Sequence, residues 1–236
     1  MSPYTVSLWI HIGAGAVALA SFWTAAAVRK GGATHRLVGR TFLCAMVLVV
    51  ASALPLVAGL WLRGQWIATV FLAFVLLLVS SGLLVAWRAV ALRRDFGAFV
   101  GGPHRPMAAA VLAGGLVVCG LGLWQGVIVF VAFGLVGVLA GAGALRRAGR
   151  GPGDARWWLR EHYGAMIGNG VATHIAFLGV GLRRVLPGLD PALHFNLAWL
   201  TPVAVAVVAG IWLDRRYGRP AAAPVSPGAP GRGPVA

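Results

Sequence analysis

The sequence predicts an all-α, polytopic membrane protein with seven transmembrane helices, its N-terminus outside and its C-terminus cytoplasmic. Three observations carry that expectation. Hydrophobic side chains make up 59% of the 236 residues and charged ones only 11%, which is unlike a water-soluble domain. Seven apolar runs, at about 6–28, 41–62, 66–87, 107–124, 127–145, 163–182 and 195–213, are each long enough to cross or nearly cross a bilayer. At 1.5 Å per residue, a hydrocarbon core of roughly 30 Å needs about twenty residues. Finally, seventeen of the twenty Lys and Arg residues fall in every second connection, and basic short loops stay in the cytoplasm.

Each run has its own signals. The first, 6–28, contains an A-x-A pattern at Ala18 and Ala20, but Met1 to Ile10 holds no basic residue. It is therefore read as a retained span, not a cleaved signal. Arg29, Lys30, Arg36 and Arg40 follow it. The second run ends at Arg63, one of only three basic residues on the opposite side. The third leads into Arg88, Arg93, Arg94 and Arg105. The fourth and fifth are joined by little more than Gln125-Gly126, which predicts an antiparallel hairpin. Gly137 and Gly141 in the fifth form a G-x-x-x-G pattern, and Arg146, Arg147, Arg150, Arg156 and Arg160 come after it. Gly164, Gly168, Ala172 and Ala176 make a small-residue stripe on the sixth, expected to bring helices close; Arg183 and Arg184 end it. The seventh precedes Arg215, Arg216, Arg219 and Arg232.

The domain division is a seven-helix unit over 1–214 and a Pro/Gly/Ala-rich tail over 215–236, expected to be disordered and cytoplasmic. Most of the ten Trp residues fall near run ends, as amphipathic rings at headgroup level should. Cys44 and Cys119 lie inside apolar runs and read as buried small hydrophobes.

Composition also excludes. The net charge of +15 and pI near 11.9 do not point to nucleic acid, because the charge sits in connections between spans. There it meets anionic lipid headgroups at the cytoplasmic face. The five acids, Asp95, Asp154, Glu161, Asp190 and Asp214, all avoid span interiors, which disfavours a proton or cation pump. Lys30 is the only lysine and lies in a connection, so no retinal Schiff base forms on the last span. No phosphate-binding loop, zinc-protease or serine-hydrolase pattern occurs.

Six histidines carry what chemistry remains. His11 lies in the outer third of the first span, and His35 just before the second at the inner edge. His162 begins the sixth span, with His174 twelve residues further, about 18 Å along the axis. By depth, His11 and His174 can meet near the outside, and His35 and His162 near the inside. Two imidazole pairs suit two b-type haems, with Arg36 and Arg40 placed for propionates. A single transition metal on His35, His162 and a third ligand is the smaller version. One obstacle is rotational: twelve residues turn His174 by about 120° from His162. His104, between Pro103 and Pro106, and His194, in the last outer loop, are expected to be solvated.

The stretch from His11 to Leu19, with Gly13, Ala14, Gly15 and Ala16, and the motif His35-Arg36-x-x-Gly39-Arg40-x-Phe42 resemble an uncharacterised bacterial family of multi-pass membrane proteins. Trp157, His162 and Met166, then Ala176-Phe177 and Trp199-Leu200-x-Pro202, fit its later marks; His174 departs from it. The resemblance spans most of 8–202, and implies seven helices but no substrate. The expectation is thus a bacterial inner-membrane protein with a haem or metal redox site on His11, His35, His162 and His174. A transporter with His11, Asn169, Thr173 and Ser80 or Ser81 along a polar path is the alternative, as is a scaffold associating through glycine and alanine faces.

Overall fold

The computed structural model describes residues 2–217. Among them are eight helices: α1 (Pro3–Ala27), α2 (Ala33–Leu62), α3 (Trp66–Ala91), α4 (Phe96–Val100), α5 (His104–Gln125), α6 (Ile128–Arg150), α7 (Trp157–Val185) and α8 (Pro191–Tyr217). All except α4 are long and apolar enough to cross a membrane, and the protein is a multi-pass, all-helical membrane protein. Every expected span is present, and each helix runs past its apolar run into polar residues. α8 continues to Tyr217, so the start of the expected tail is helical; 218–236 lie outside the described residues.

Local chemistry sets the ends. Ser2 caps α1 by accepting from the Thr5 amide at 3.2 Å, with Pro3 in the first turn. Gly126 closes α5 in the left-handed region at φ 67°, which lets the chain reverse directly into α6. The expected α5–α6 hairpin forms.

The long helices make two bundles that share α3 and α7. In the first, α1 packs on α2, α2 on α3, α3 on α7, and α7 returns to α1. Its interior holds Ala18, Phe42, Ala45, Met46, Val79 and Leu83, flanked by Phe22 and Met166. The second closes through α3, α5, α6, α8 and α7. Aromatic rings fill it: Phe71 stacks on Phe130 at 4.2 Å and meets Trp199 at 5.0 Å, with Phe133 alongside. Trp199 therefore turns inward onto the bundle's rings.

The seam between α5 and α6 is backbone against backbone. A Cβ on Gly134 would stand 2.5 Å from the Cys119 amide nitrogen, and one on Gly141 2.6 Å from that of Leu112. No side chain fits there, which is how small residues earn close approach in lipid. The stripe on α7 behaves otherwise. Gly164 and Gly168 are exposed and a Cβ on either would meet nothing within 4 Å, so that part of the face does not pack within the chain, while Ala172 further along does. The α7 glycine that does is Gly170, where a Cβ would come 2.5 Å from Phe22. Cys44, expected inside, is exposed on α2.

Several charges of the arginine-rich end tie elements together. Arg88 donates from Nη2 to the carbonyls of Ala98, Phe99 and Gly101 at 2.5, 3.1 and 3.2 Å, holding α4 against the end of α3. Asp95 caps α4 through the Ala98 amide at 2.8 Å. Arg147 pairs with Glu161, Arg160 with Asp154, and the Tyr163 hydroxyl donates to Asp214. The hydrogen bond from Arg160 holds the Asp154 carboxyl below its ordinary range.

Candidate functional site

The first bundle collects four of the six histidines. On α2, His35 shares a face with Phe42 and Met46, two and three turns on, so it heads the buried stripe of that helix. On α7, His162 shares a face with Met166 and Asn169. His35 therefore lies within α2, not ahead of it as expected.

Both imidazoles are anchored the same way. His35 Nδ1 is 3.2 Å from the Ala25 carbonyl oxygen at the end of α1. His162 Nδ1 is 3.2 Å from that of Ala86, near the end of α3. A carbonyl only accepts, so each Nδ1 carries its proton and donates, and the lone pair falls to Nε2. Neither Nε2 has a hydrogen-bond partner among the described residues. Both rings are half-buried. A metal-ligating histidine carries this arrangement, because the anchored N–H fixes tautomer and ring orientation.

The other two histidines part company. His11 Nδ1 bonds the Val49 carbonyl at 3.0 Å, with Ser52 Oγ at 3.3 Å, on the α1–α2 interface. His174 has both nitrogens engaged: Nδ1 with the Gly170 carbonyl at 2.7 Å, and Nε2 accepting from Trp23 Nε1 at 3.0 Å. Trp23 lies twelve residues along α1 from His11, about 18 Å. The expected pairing of His11 with His174 does not form. The rotation between His162 and His174 is visible in their partners, since one faces α3 and the other α1.

Around the inner pair, Arg36 donates from Nη1 to the Gly31 carbonyl at 2.7 Å, while Arg40 is exposed without an ion-pair partner among the described residues. Among the described residues no group of three or more His, Cys, Asp or Glu side chains could hold a metal ion. The third ligand needed by the single-metal expectation is thus not supplied by those residue types. A haem asks for less. The porphyrin provides four nitrogens, and at most two axial ligands come from protein, so two imidazoles are the right number and ligand type.

Asn169 and Thr173 are buried on α7. Thr173 Oγ1 returns to the Gly170 carbonyl at 2.8 Å; Asn169 Nδ2 donates to the Ala165 carbonyl at 3.0 Å and its Oδ1 has no partner. His104 and His194, expected in solvated loops, are instead 4% and 6% exposed. His104 lies against Phe99 at 4.7 Å between centroids, and His194 is in the first turn of α8. No family model, curated protein or solved structure matches this chain.

Proposed function

We propose that this protein is a haem-bearing redox protein of the bacterial inner membrane, with one haem b held by His35 and His162. The carrying observation is that both imidazoles have Nδ1 donated to a backbone carbonyl and Nε2 free, at the same end of one bundle. The haem would supply one-electron chemistry at that end. The chain's own part is to orient two lone pairs, exclude water with Met166 and Phe42, and offer Arg40 to a propionate carboxylate. The positive-inside bias supports a cytoplasmic location for this end, with the N-terminus outside and anionic lipids around it. Membership of the multi-pass family that shares the His-Arg-x-x-Gly-Arg motif belongs to the same proposal and adds no substrate.

The test is an absorption spectrum of full-length protein, expressed with ample haem supply and purified in detergent. A Soret band is expected, lost in both His35→Ala and His162→Ala and kept in His174→Ala. A colourless wild type, or a band that survives both substitutions, sinks the proposal. The unpartnered Oδ1 of Asn169 favours a second reading, a polar permeation path through the same bundle. Uptake by vesicles containing the protein, abolished by Asn169→Leu, would select that reading instead.

A further inference from the structure

The end opposite the arginine-rich one carries a site unrelated to the histidine pair. A cavity of about 500 Å³ opens between the last turns of α7 and the first turns of α8, within the size range of small-molecule pockets. Its lining mixes two chemistries: α7 gives Val180 and, one turn on, Arg183 and Arg184, and α8 gives His194 with Phe195 and Trp199. His194 is 94% buried by its 6% exposure, yet its Nε2 has no hydrogen-bond partner. Leaving a buried polar nitrogen unmade costs about 1–3 kcal/mol, so the position invites a ligand that supplies the bond.

The guanidinium groups of Arg183 and Arg184 at the cavity have no ion-pair partner among the described residues, where the ion pairs are Arg147–Glu161 and Arg160–Asp154. Asp190, the acid at this end, spends Oδ1 on the Ala192 and Leu193 amides at 3.0 and 2.9 Å, capping α8. Two guanidinium groups recognise carboxylate or phosphate through forked hydrogen bonds. An apolar wall with rings beside them suits a hydrocarbon chain.

We propose that this cavity binds an acyl-chain amphiphile with a carboxylate or phosphate head, its head on Arg183, Arg184 and His194 and its chain along Val180, Phe195 and Trp199. The same chemistry could come from a free fatty acid or from an anionic phospholipid. Native mass spectrometry of the full-length protein in a neutral maltoside detergent separates them, using palmitate, lysophosphatidylglycerol and lysophosphatidylcholine as probes.

One anionic molecule is expected to be retained per chain, at least tenfold more tightly than zwitterionic lysophosphatidylcholine. Retention of palmitate alone names a free acid, and of lysophosphatidylglycerol alone a lipid headgroup; retention of both leaves the shared anion chemistry standing. In R183Q/R184Q, retention should fall at least tenfold. Val180→Trp, which fills the apolar part and leaves the charge intact, should give a similar loss. Equal retention of the zwitterionic probe, retention of neither anion, or undiminished binding in both variants overturns the proposal.

Discussion

The two bundles are made from the same kind of helix and share α3 and α7, yet they are packed on opposite principles. The centre of the second bundle is filled by rings: Phe71, Phe74, Phe130, Phe133 and Trp199 pack together, and α5 meets α6 backbone to backbone. The first has smaller side chains at its centre, with Ala18, Ala45 and Met46, and it takes in His11, His35, His162, Asn169 and Thr173. Lipid gives little hydrophobic drive between helices, so packing and hydrogen bonds must hold them. The second bundle relies on packing. The first relies on side chains bonded to backbone across helices, and leaves imidazole lone pairs over. The ring-and-glycine core of the second bundle is apolar, whereas the interior of the first carries polar side chains such as Asn169 and Thr173.

The largest effect should separate glycines that pack from glycines that do not. Gly141→Leu would drive a side chain into the Leu112 backbone, where a Cβ alone already stands at 2.6 Å. Overpacking of that kind costs about 3 kcal/mol, at the upper end of its usual range. Gly164→Leu meets open space and should leave the protein's thermal unfolding midpoint in detergent unchanged. Equal losses in the two variants would break the contrast between an internal seam and an outward-facing stripe.

A smaller effect is expected at the arginine-rich end, where charge does what rings do elsewhere. Arg88 alone holds three carbonyls of the α4 turn and connection. Arg88→Ala should cost about 2 kcal/mol, in the range for hydrogen bonds made by a charged group. Loosening should be local, so limited proteolysis should cut between α3 and α5 well before the spans are attacked. Wild-type resistance in that connection would remove Arg88 from the account.

These outcomes also mark what was legible in the residues. Seven spans and the α5–α6 hairpin follow from run length and a two-residue connection, because a bilayer forces helices on any long apolar stretch. The short α4 does not, since five residues have no periodicity; Asp95 as its cap was the available sign. His194 reads as loop because the seventh apolar run starts at 195, one residue after it. Asp190-Pro191 is better read as a cap followed by a first-turn proline, which puts His194 on the face of buried Ala198. The stripe at Gly164 and Gly168 shows the opposite failure. Spacing every four residues fixes a face, but only neighbours decide whether it is an inner one. For the histidines, depth along the chain placed His35 and His162 at one end of the first bundle, where Ala25 and Ala86 anchor them, and misjudged His174, whose ring turns to Trp23.

The smallest effect concerns Asp154, and its sign is fixed by its bond to Arg160. That hydrogen bond holds the folded carboxyl below its unfolded value, so ionised Asp154 stabilises the fold at any pH above the unfolded range near about 4. The contribution disappears as pH falls through the depressed folded value. Both side chains are about a third exposed, at 32% and 30%, so water screens the pair and its worth is at most about 1 kcal/mol. Asp154→Asn should therefore lower the thermal midpoint slightly at neutral pH and converge with wild type in acid. High salt should narrow the neutral-pH gap as well, because an exposed pair is screened while the aromatic packing of the second bundle is not. A gap that persists unchanged into acid would mean that Asp154 acts through the Arg156 amide it also accepts from, at 2.7 Å, and not through its charge.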